Sequence, residues 1–210
     1  MKSLNVGIIG DSWVRSKGIN KSLSETINNY GVTNRVYSVG YAGYKSGQIY
    51  TELLNDKNGR DLINSSEIDS IIIIAGVNDL ICHVGSKYYS ENIKNIISLA
   101  NNNKKFVYVV SLPEFGTDIE EGLLLKAKHF LFKYIFDKGE SNAQYQYRNR
   151  LDIVLQKSKL DYEIIPYENF VDNYENNKSL YYNSSHLNND GYKLLGEYIG
   201  RYIVRHLSSS

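Results

Sequence analysis

Cysteine and long apolar runs are what this chain most clearly lacks. Cys82 is the only cysteine, so no disulfide can form within the chain. The longest apolar run, residues 71–75, has the length of a strand and falls far short of the ~20 residues that span a membrane. Proline, tryptophan and methionine are also rare, a bias that we attribute as much to genome composition as to physical need.

Net charge and targeting signals are weak as well. The formal net charge is +1, so no overall field attracts nucleic acid or an anionic membrane. The first residues lead almost directly into an apolar strand, without the three regions of a signal peptide. We therefore expect a cytoplasmic, bacterial-type protein without a membrane span or a nucleic-acid partner, and we leave its oligomeric state open.

The composition that remains is that of a soluble globular protein. Hydrophobic residues make up 42% and charged residues 22% of the 210 positions. This length predicts one domain over residues 1–207, followed by a loose tail at 208–210. The 19 tyrosines are unusual, and surface tyrosines suit sugar-like ligands through stacking and hydrogen bonds.

Apolar runs and helical periodicities alternate five times along the chain. Strands are predicted at 4–9, 35–39, 69–75, 106–110 and 162–166, and helices at 17–30, 49–54, 88–100, 142–158 and 190–206. This alternation predicts an α/β fold, a three-layer α/β/α sandwich around a mostly parallel sheet. Residues 114–141 are irregular, with an acidic start and an aromatic, basic continuation. They predict an insertion near the site or a partner-facing helix.

Several polar residues follow predicted strands, where parallel sheets form their sites. Ser12 ends the run Gly10-Asp11-Ser12 and is either a helix N-cap or a nucleophile. Asn78 is either a helix cap or a donor to an oxyanion. Gly43 supplies either a positive φ or a backbone N–H that approaches a ligand. Each residue is ambiguous by itself.

A nucleophilic serine needs a base within hydrogen-bond reach, and four histidines compete for that role. His206 falls in the last turn of the closing helix, which favours a structural cation. His129 lies in the aromatic segment and is expected on a solvated face. His83 follows the third strand and could line the pocket. His186 precedes the closing helix and is expected close to the edge of the sheet.

Taken together, Gly10-Asp11-Ser12, Gly43, Gly76-Val77-Asn78-Asp79 and His186 resemble the SGNH, or GDSL, hydrolase superfamily in order and spacing. The likeness extends over nearly the full length, with Gly40 as the less favoured choice for the second block. It implies a flavodoxin-like five-stranded parallel sheet with strand order 2-1-3-4-5. It also implies ester or acetyl chemistry with neither a metal nor another cofactor.

The resemblance also implies a role for each block. Ser12 would be the nucleophile and His186 its base. The backbone N–H groups of Ser12 and Gly43, with the side-chain amide of Asn78, would form the oxyanion hole. Residues beside these blocks are expected to contact the substrate, namely Asp11, Trp13, Tyr44 and Asp79.

One position departs from the pattern, because the residue three before His186 is Asn183 where the superfamily has an aspartate. Asparagine carries no charge to stabilise an imidazolium, and its amide could favour the wrong tautomer. Three explanations remain open. A Ser–His dyad could be oriented by a backbone carbonyl or by another acid such as Asp190 or Asp172. The protein could bind its ligand without hydrolysing it, or the asparagine could be an introduced inactivating substitution.

The expected function is a serine esterase that removes acetyl or another short acyl group from a carbohydrate. The choice of a carbohydrate substrate rests on a predicted aromatic rim, which consists of Trp13, Tyr41, Tyr44, Tyr181 and Tyr182. Two alternatives remain: an O-acyltransferase that modifies a surface polysaccharide through the same acyl-serine, and a catalytically impaired glycan-binding homologue. The expected partner is thus a small-molecule or glycan ester.

Overall fold

The computed structural model describes residues 3–116 and 143–209. Five strands form one parallel sheet, in the order β2-β1-β3-β4-β5. Their bounds are Ser3–Gly10 (β1), Thr33–Gly40 (β2), Ser70–Ile74 (β3), Phe106–Val110 (β4) and Tyr162–Ile165 (β5). The predicted α/β class and the strand order 2-1-3-4-5 are confirmed.

Helices flank this sheet and complete the three layers. They are Ser12–Arg15 (α1), Gly18–Asn29 (α2), Ser46–Asn55 (α3), Lys57–Asn64 (α4), Val77–Ile81 (α5), Ser86–Asn102 (α6), Ala143–Gln156 (α7) and Asn189–Ser209 (α8). Helix α2 packs against α8, whereas α3 packs on α4 and α6, and α6 packs on α7. No helix in the described ranges is long and apolar enough to cross a bilayer.

Burial explains which strands were easiest to predict. All five residues of β3 are buried, four of them isoleucines, as expected for a central strand covered on both faces. Strand β2 lies at the edge of the sheet and has no fully buried residue. Its side chains therefore give a weaker apolar signal than those of β3.

Several elements differ from the sequence-based expectations. Helix α4 was not predicted, because Leu62 and Ile63 are its only apolar side chains and Gly59 lowers its helix propensity. Helix α8 continues through Ser209, so the predicted tail begins too early. Ser208 and Ser209 are both helical, and their hydroxyls donate to the backbone carbonyls of Val204 and Arg205, four residues earlier. Residues 117–142, which hold most of the predicted insertion and His129, lie outside the described residues.

A two-stranded hairpin beside the sheet was also missed. Strand β6 (Tyr181–Asn183) pairs antiparallel with β7 (His186–Leu187). The hairpin is attached to the loop after β4, since Gly116 N–H donates to the Ser184 carbonyl at 2.7 Å. The Tyr181 hydroxyl also donates to the Glu114 carbonyl at 2.7 Å. Such short polar segments have no periodicity from which to predict them.

Gly10 ends β1 where there is no room for a side chain. A Cβ there would collide with the Ile74 carbonyl oxygen and approach the Val14 side chain. Gly10→Ala should therefore lower the free energy of unfolding by about 3 kcal/mol. Gly31→Ala is the control, because Gly31 has φ +78° in open space and should lose only about 1 kcal/mol. Equal losses in chemical denaturation would contradict this packing.

Candidate active site

The turn after β1 presents the Ser12 hydroxyl. The N-cap of α1 is Asp11, whose Oδ1 accepts from the Trp13 N–H at 3.0 Å. Because Asp11 caps the helix, the hydroxyl of Ser12 is left for other contacts. Its Oγ lies 2.8 Å from Nε2 of His186, across 174 residues of sequence.

Asn183 fixes the state of the His186 ring. Its Oδ1 accepts backbone N–H bonds from His186 at 2.8 Å and from Ser185 at 3.0 Å. Only an oxygen can accept both bonds, so the side-chain amide cannot be turned around. The same Oδ1 lies 3.2 Å from Nδ1 of His186. We assign the proton of the neutral ring to Nδ1, because two lone pairs would otherwise face each other across this contact.

This tautomer leaves the lone pair of Nε2 facing Ser12, so the serine hydroxyl donates to the imidazole. Burial lowers the pKa of His186 below its usual value of 6.5. The ring is therefore mainly neutral at pH 7, as a general base requires. Neither Asp172 nor Asp190 hydrogen-bonds to this ring, and no carboxylate of the described residues does so.

Trp13 joins the serine turn to the histidine hairpin. Its indole N–H donates to the Ser185 carbonyl at 2.9 Å. The indole is fully buried and makes edge-to-face contacts with Tyr167 and Tyr192, each with ring centroids 5.9 Å apart. This burial argues against the predicted substrate contact. Trp13 instead holds the hairpin at hydrogen-bond distance from Ser12.

Asp11 and Asp79 are also fully buried, so the predicted substrate contacts do not hold for them. Asp79 accepts from the Ser46 hydroxyl at 2.6 Å and from the Ser46 N–H at 2.8 Å, which fastens α5 to the start of α3. Burial raises the pKa of Asp79. Burial and, to a lesser extent, the charge of Asp79 raise the pKa of Asp11 to about 7.

The structure brings the predicted Gly43 loop to Asn78. The Asn78 side-chain amide donates to the Tyr44 carbonyl at 3.1 Å, which uses one of its two amide hydrogens. Gly43 is exposed, with φ +78° and open space at its Cα. Gly40, the less favoured choice for this block, packs against the Arg15 backbone instead.

Only part of the predicted aromatic rim reaches the surface. Tyr41 and Tyr44 are half-buried and stack with ring centroids 5.8 Å apart. Tyr182 is 82% exposed on the hairpin. Tyr181 is buried below it, so its predicted place in the rim is wrong, as it is for Trp13.

Two other histidines, His206 and His83, lie within the described residues. His206 receives or donates a hydrogen bond at 3.0 Å with the Tyr108 hydroxyl and stacks on Phe106, as its predicted structural role requires. His83 occupies the turn after α5 with φ 51°. Within residues 3–116 and 143–209, no group of three or more metal-binding side chains occurs.

Sequence reasoning missed Ser185. Its Oγ lies 3.1 Å from Nδ1 of His186 and 3.4 Å from Oδ1 of Asn183. Its only sequence signal is its place between Asn183 and His186, because a tight turn at that point brings the side chain beside the ring.

The buried carboxyl of Asp11 predicts a pH-dependent stability. Its raised pKa means that the folded state holds the proton more tightly, so stability falls as pH rises from about 4 to 7. Asp11→Asn keeps the N-cap acceptor and removes the ionisation. Relative to the unchanged chain, we expect it to gain about 2–3 kcal/mol between pH 5 and pH 8 in denaturant unfolding. A difference that is the same at both pH values would contradict the assignment.

No protein-family model matches the chain, and no curated protein is similar to it in sequence. Solved structures match it over almost its full length. A lipase/acylhydrolase from Enterococcus faecalis has a TM-score of 0.68 and 17% identity, covering 95% of each chain. A GDSL-like lipase from Bacteroides thetaiotaomicron has a TM-score of 0.63 and 18% identity, covering 96% of this chain and 88% of its own.

An acetyl xylan esterase, AlAXEase, matches with a TM-score of 0.67 and 15% identity, over 95% of this chain and 100% of its own. At these identities the similarity establishes the fold. The resemblance drawn from four short sequence blocks is thus confirmed in the arrangement of the whole sheet. The chain has the fold of the GDSL, or SGNH, lipases and acylhydrolases.

Proposed function

We propose that this protein is a serine esterase that hydrolyses its substrate through an acyl-serine. The observation that carries the proposal is the 2.8 Å contact between Ser12 Oγ and His186 Nε2, with the ring held in the correct tautomer by Asn183. The similarity of fold to esterases and acylhydrolases supports the same chemistry.

In the first half of the reaction, Ser12 Oγ attacks the ester carbonyl carbon while its proton passes to Nε2 of His186. The oxyanion would be held by the N–H groups of Ser12 and Gly43 and by the free amide hydrogen of Asn78. The C–O bond to the alcohol then breaks, and the imidazolium returns the proton to the leaving oxygen. The products of this half are the free alcohol and the acyl-serine.

Water completes the cycle in the second half. His186 takes a proton from the water, whose oxygen attacks the acyl carbon. The Ser12–acyl bond then breaks, and the proton returns to Ser12 Oγ. Asn183 does not ionise in either half, so its contribution is to keep the proton on Nδ1.

The substrate class that we favour is a carbohydrate carrying acetyl or another short acyl group. The supporting features are the exposed ring of Tyr182 and the half-buried stacked pair Tyr41–Tyr44, since aromatic faces suit sugar rings. The similar structure described as an acetyl xylan esterase agrees with this choice. Acetyl transfer to a glycan hydroxyl would use the same acyl-serine. The assay with acetylated xylan distinguishes such transfer from hydrolysis.

Hydrolysis of p-nitrophenyl acetate tests the nucleophile and the base. Ser12→Ala and His186→Ala should each reduce kcat by at least about 10³-fold. Ser184→Ala is the matched control, because its hydroxyl makes no hydrogen bond within the described residues, and it should keep the full rate. Turnover that does not depend on Ser12 would refute the proposal. Acetylated xylan, with release of acetate or transfer to a glycan scored by mass, tests the substrate class.

Substitutions of Asn183 separate tautomer control from charge. In a serine protease triad, replacing the aspartate with asparagine costs ~10⁴ because the wrong tautomer is favoured. Here the tautomer is correct, so Asn183→Asp should add only the stabilisation of the imidazolium by a charge, about 10- to 100-fold in kcat. Asn183→Ala should lose about 10- to 100-fold. A gain near 10⁴ for the aspartate would contradict our assignment of the ring.

The pH dependence of kcat/KM should show a base that is active when neutral. Because burial lowers the pKa of His186, the rate should rise with pH through a midpoint below 6.5. Asn183→Asp places a carboxylate beside Nδ1, so it should move this midpoint to higher pH. A profile that does not move with this substitution would argue against His186 as the base.

A further inference from the structure

We propose that the Ser185 hydroxyl is a positioning residue for His186 and, with Asn183, replaces the missing carboxylate. The inference rests on the proposed function, since it concerns the same base. It is drawn from a cluster of three atoms: Nδ1 of His186, Oδ1 of Asn183 and Oγ of Ser185.

The distances describe a shared hydrogen bond. Nδ1 lies 3.2 Å from Oδ1 of Asn183 and 3.1 Å from Oγ of Ser185, so its single proton is offered to two oxygens. The Ser185 hydroxyl can point its own hydrogen at Asn183 Oδ1, 3.4 Å away. Its lone pairs then face the imidazole N–H, and every donor in the cluster has an acceptor.

The other direction for the hydroxyl conflicts with Asn183. If Ser185 donated to a bare Nδ1, the lone pair of that nitrogen would also face Oδ1 of Asn183. That oxygen already accepts two backbone N–H bonds and has no hydrogen to give. The arrangement with the proton on Nδ1 avoids this repulsion, and it is the one on which the proposal rests.

Two neutral acceptors matter because, among residues 3–116 and 143–209, no carboxylate hydrogen-bonds to the ring as a countercharge for the imidazolium. When His186 takes the Ser12 proton, its Nδ1–H becomes a charged donor, and hydrogen bonds to charged groups are stronger than neutral ones. The segments packed against the hairpin carry the carboxyls of Asp11, Glu114, Glu175 and Asp190, and none of these four hydrogen-bonds to the ring. Burial lowers the pKa of His186, and no charged group of the described residues is a cause of this shift.

The backbone of Ser185 has separate tasks that a side-chain substitution leaves intact. Its N–H donates to Asn183 and its carbonyl accepts from the Trp13 indole. Ser185→Ala keeps both bonds and removes only the hydroxyl. Ser185→Thr retains the hydroxyl, and Ser184→Ala removes the neighbouring hydroxyl that makes no hydrogen bond within the described residues.

The test combines a pKa measurement with kinetics. NMR titration of histidine-labelled protein, with the His186 signal assigned by its loss in His186→Ala, should show that Ser185→Ala lowers the pKa of His186 by about 0.5–1 unit. The kcat for p-nitrophenyl acetate should fall about threefold to tenfold with little change in KM. The low-pH limb of the rate profile should move down with the pKa. Ser185→Thr and Ser184→Ala should leave both quantities close to those of the unchanged chain.

The aspartate background adds an independent comparison. In Asn183→Asp the carboxylate stabilises the imidazolium alone, so adding Ser185→Ala should then cost less than about twofold. An unchanged pKa of His186 in Ser185→Ala, or the same loss of rate with Asn183 and with Asp at that position, would overturn the inference. If turnover does not require Ser12 but the pKa still falls, the proposed function fails while the hydrogen bond to Ser185 stands.

Discussion

The site depends on one carbonyl oxygen, Oδ1 of Asn183, which accepts three hydrogen bonds within one turn in addition to the 3.4 Å contact from the Ser185 hydroxyl. Two come from backbone N–H groups and orient the amide. The third comes from Nδ1 of His186 and thereby directs the bare Nε2 at Ser12. A side chain without charge thus performs the geometric part of an acid's role. What it cannot supply is a countercharge for the imidazolium, and the Ser185 hydroxyl lies where a second acceptor would help.

The interior of the protein keeps this turn in place. Trp13 is one residue from the serine, and its indole holds the backbone carbonyl beside His186. The geometry of the serine turn itself comes from the Asp11 cap and from Gly10, which has no space for a Cβ. Asp11 and Asp79 are therefore supports of the site, and the substrate meets other groups. Their burial costs solvation, which the raised pKa of Asp11 expresses.

The sequence was sufficient for the sheet and for the order of the site's blocks. Central strands such as β3 are easy to predict from sequence, because a strand that is buried on both faces consists of an unbroken apolar run. The parallel topology then brings Ser12 and the Gly43 and Asn78 loops to one edge. The contacts of individual side chains beside the motifs were harder to predict from the sequence. Trp13, Asp11 and Asp79 flank the motifs in sequence, yet whether a flanking side chain points at substrate or into the core is decided by packing.

The side-chain contacts of the turn at residues 183–186 were the hardest to predict from the sequence. From the sequence, Asn183 was a lost charge with an amide of unknown direction, and the only signal of Ser185 was its place between Asn183 and His186. The direction follows only from the hairpin, whose two backbone N–H groups converge on Oδ1. Local backbone geometry of this kind cannot be predicted from residue types alone.

The tautomer of His186 in the resting protein tests this account most directly. Nitrogen-15 NMR of histidine-labelled protein, at a pH above the titration of His186, distinguishes a protonated from a bare ring nitrogen. The account predicts that neutral His186 carries its proton on Nδ1, and that Asn183→Ala lets the Nε2–H form appear. A neutral ring with the proton on Nε2 in the unchanged chain would contradict it.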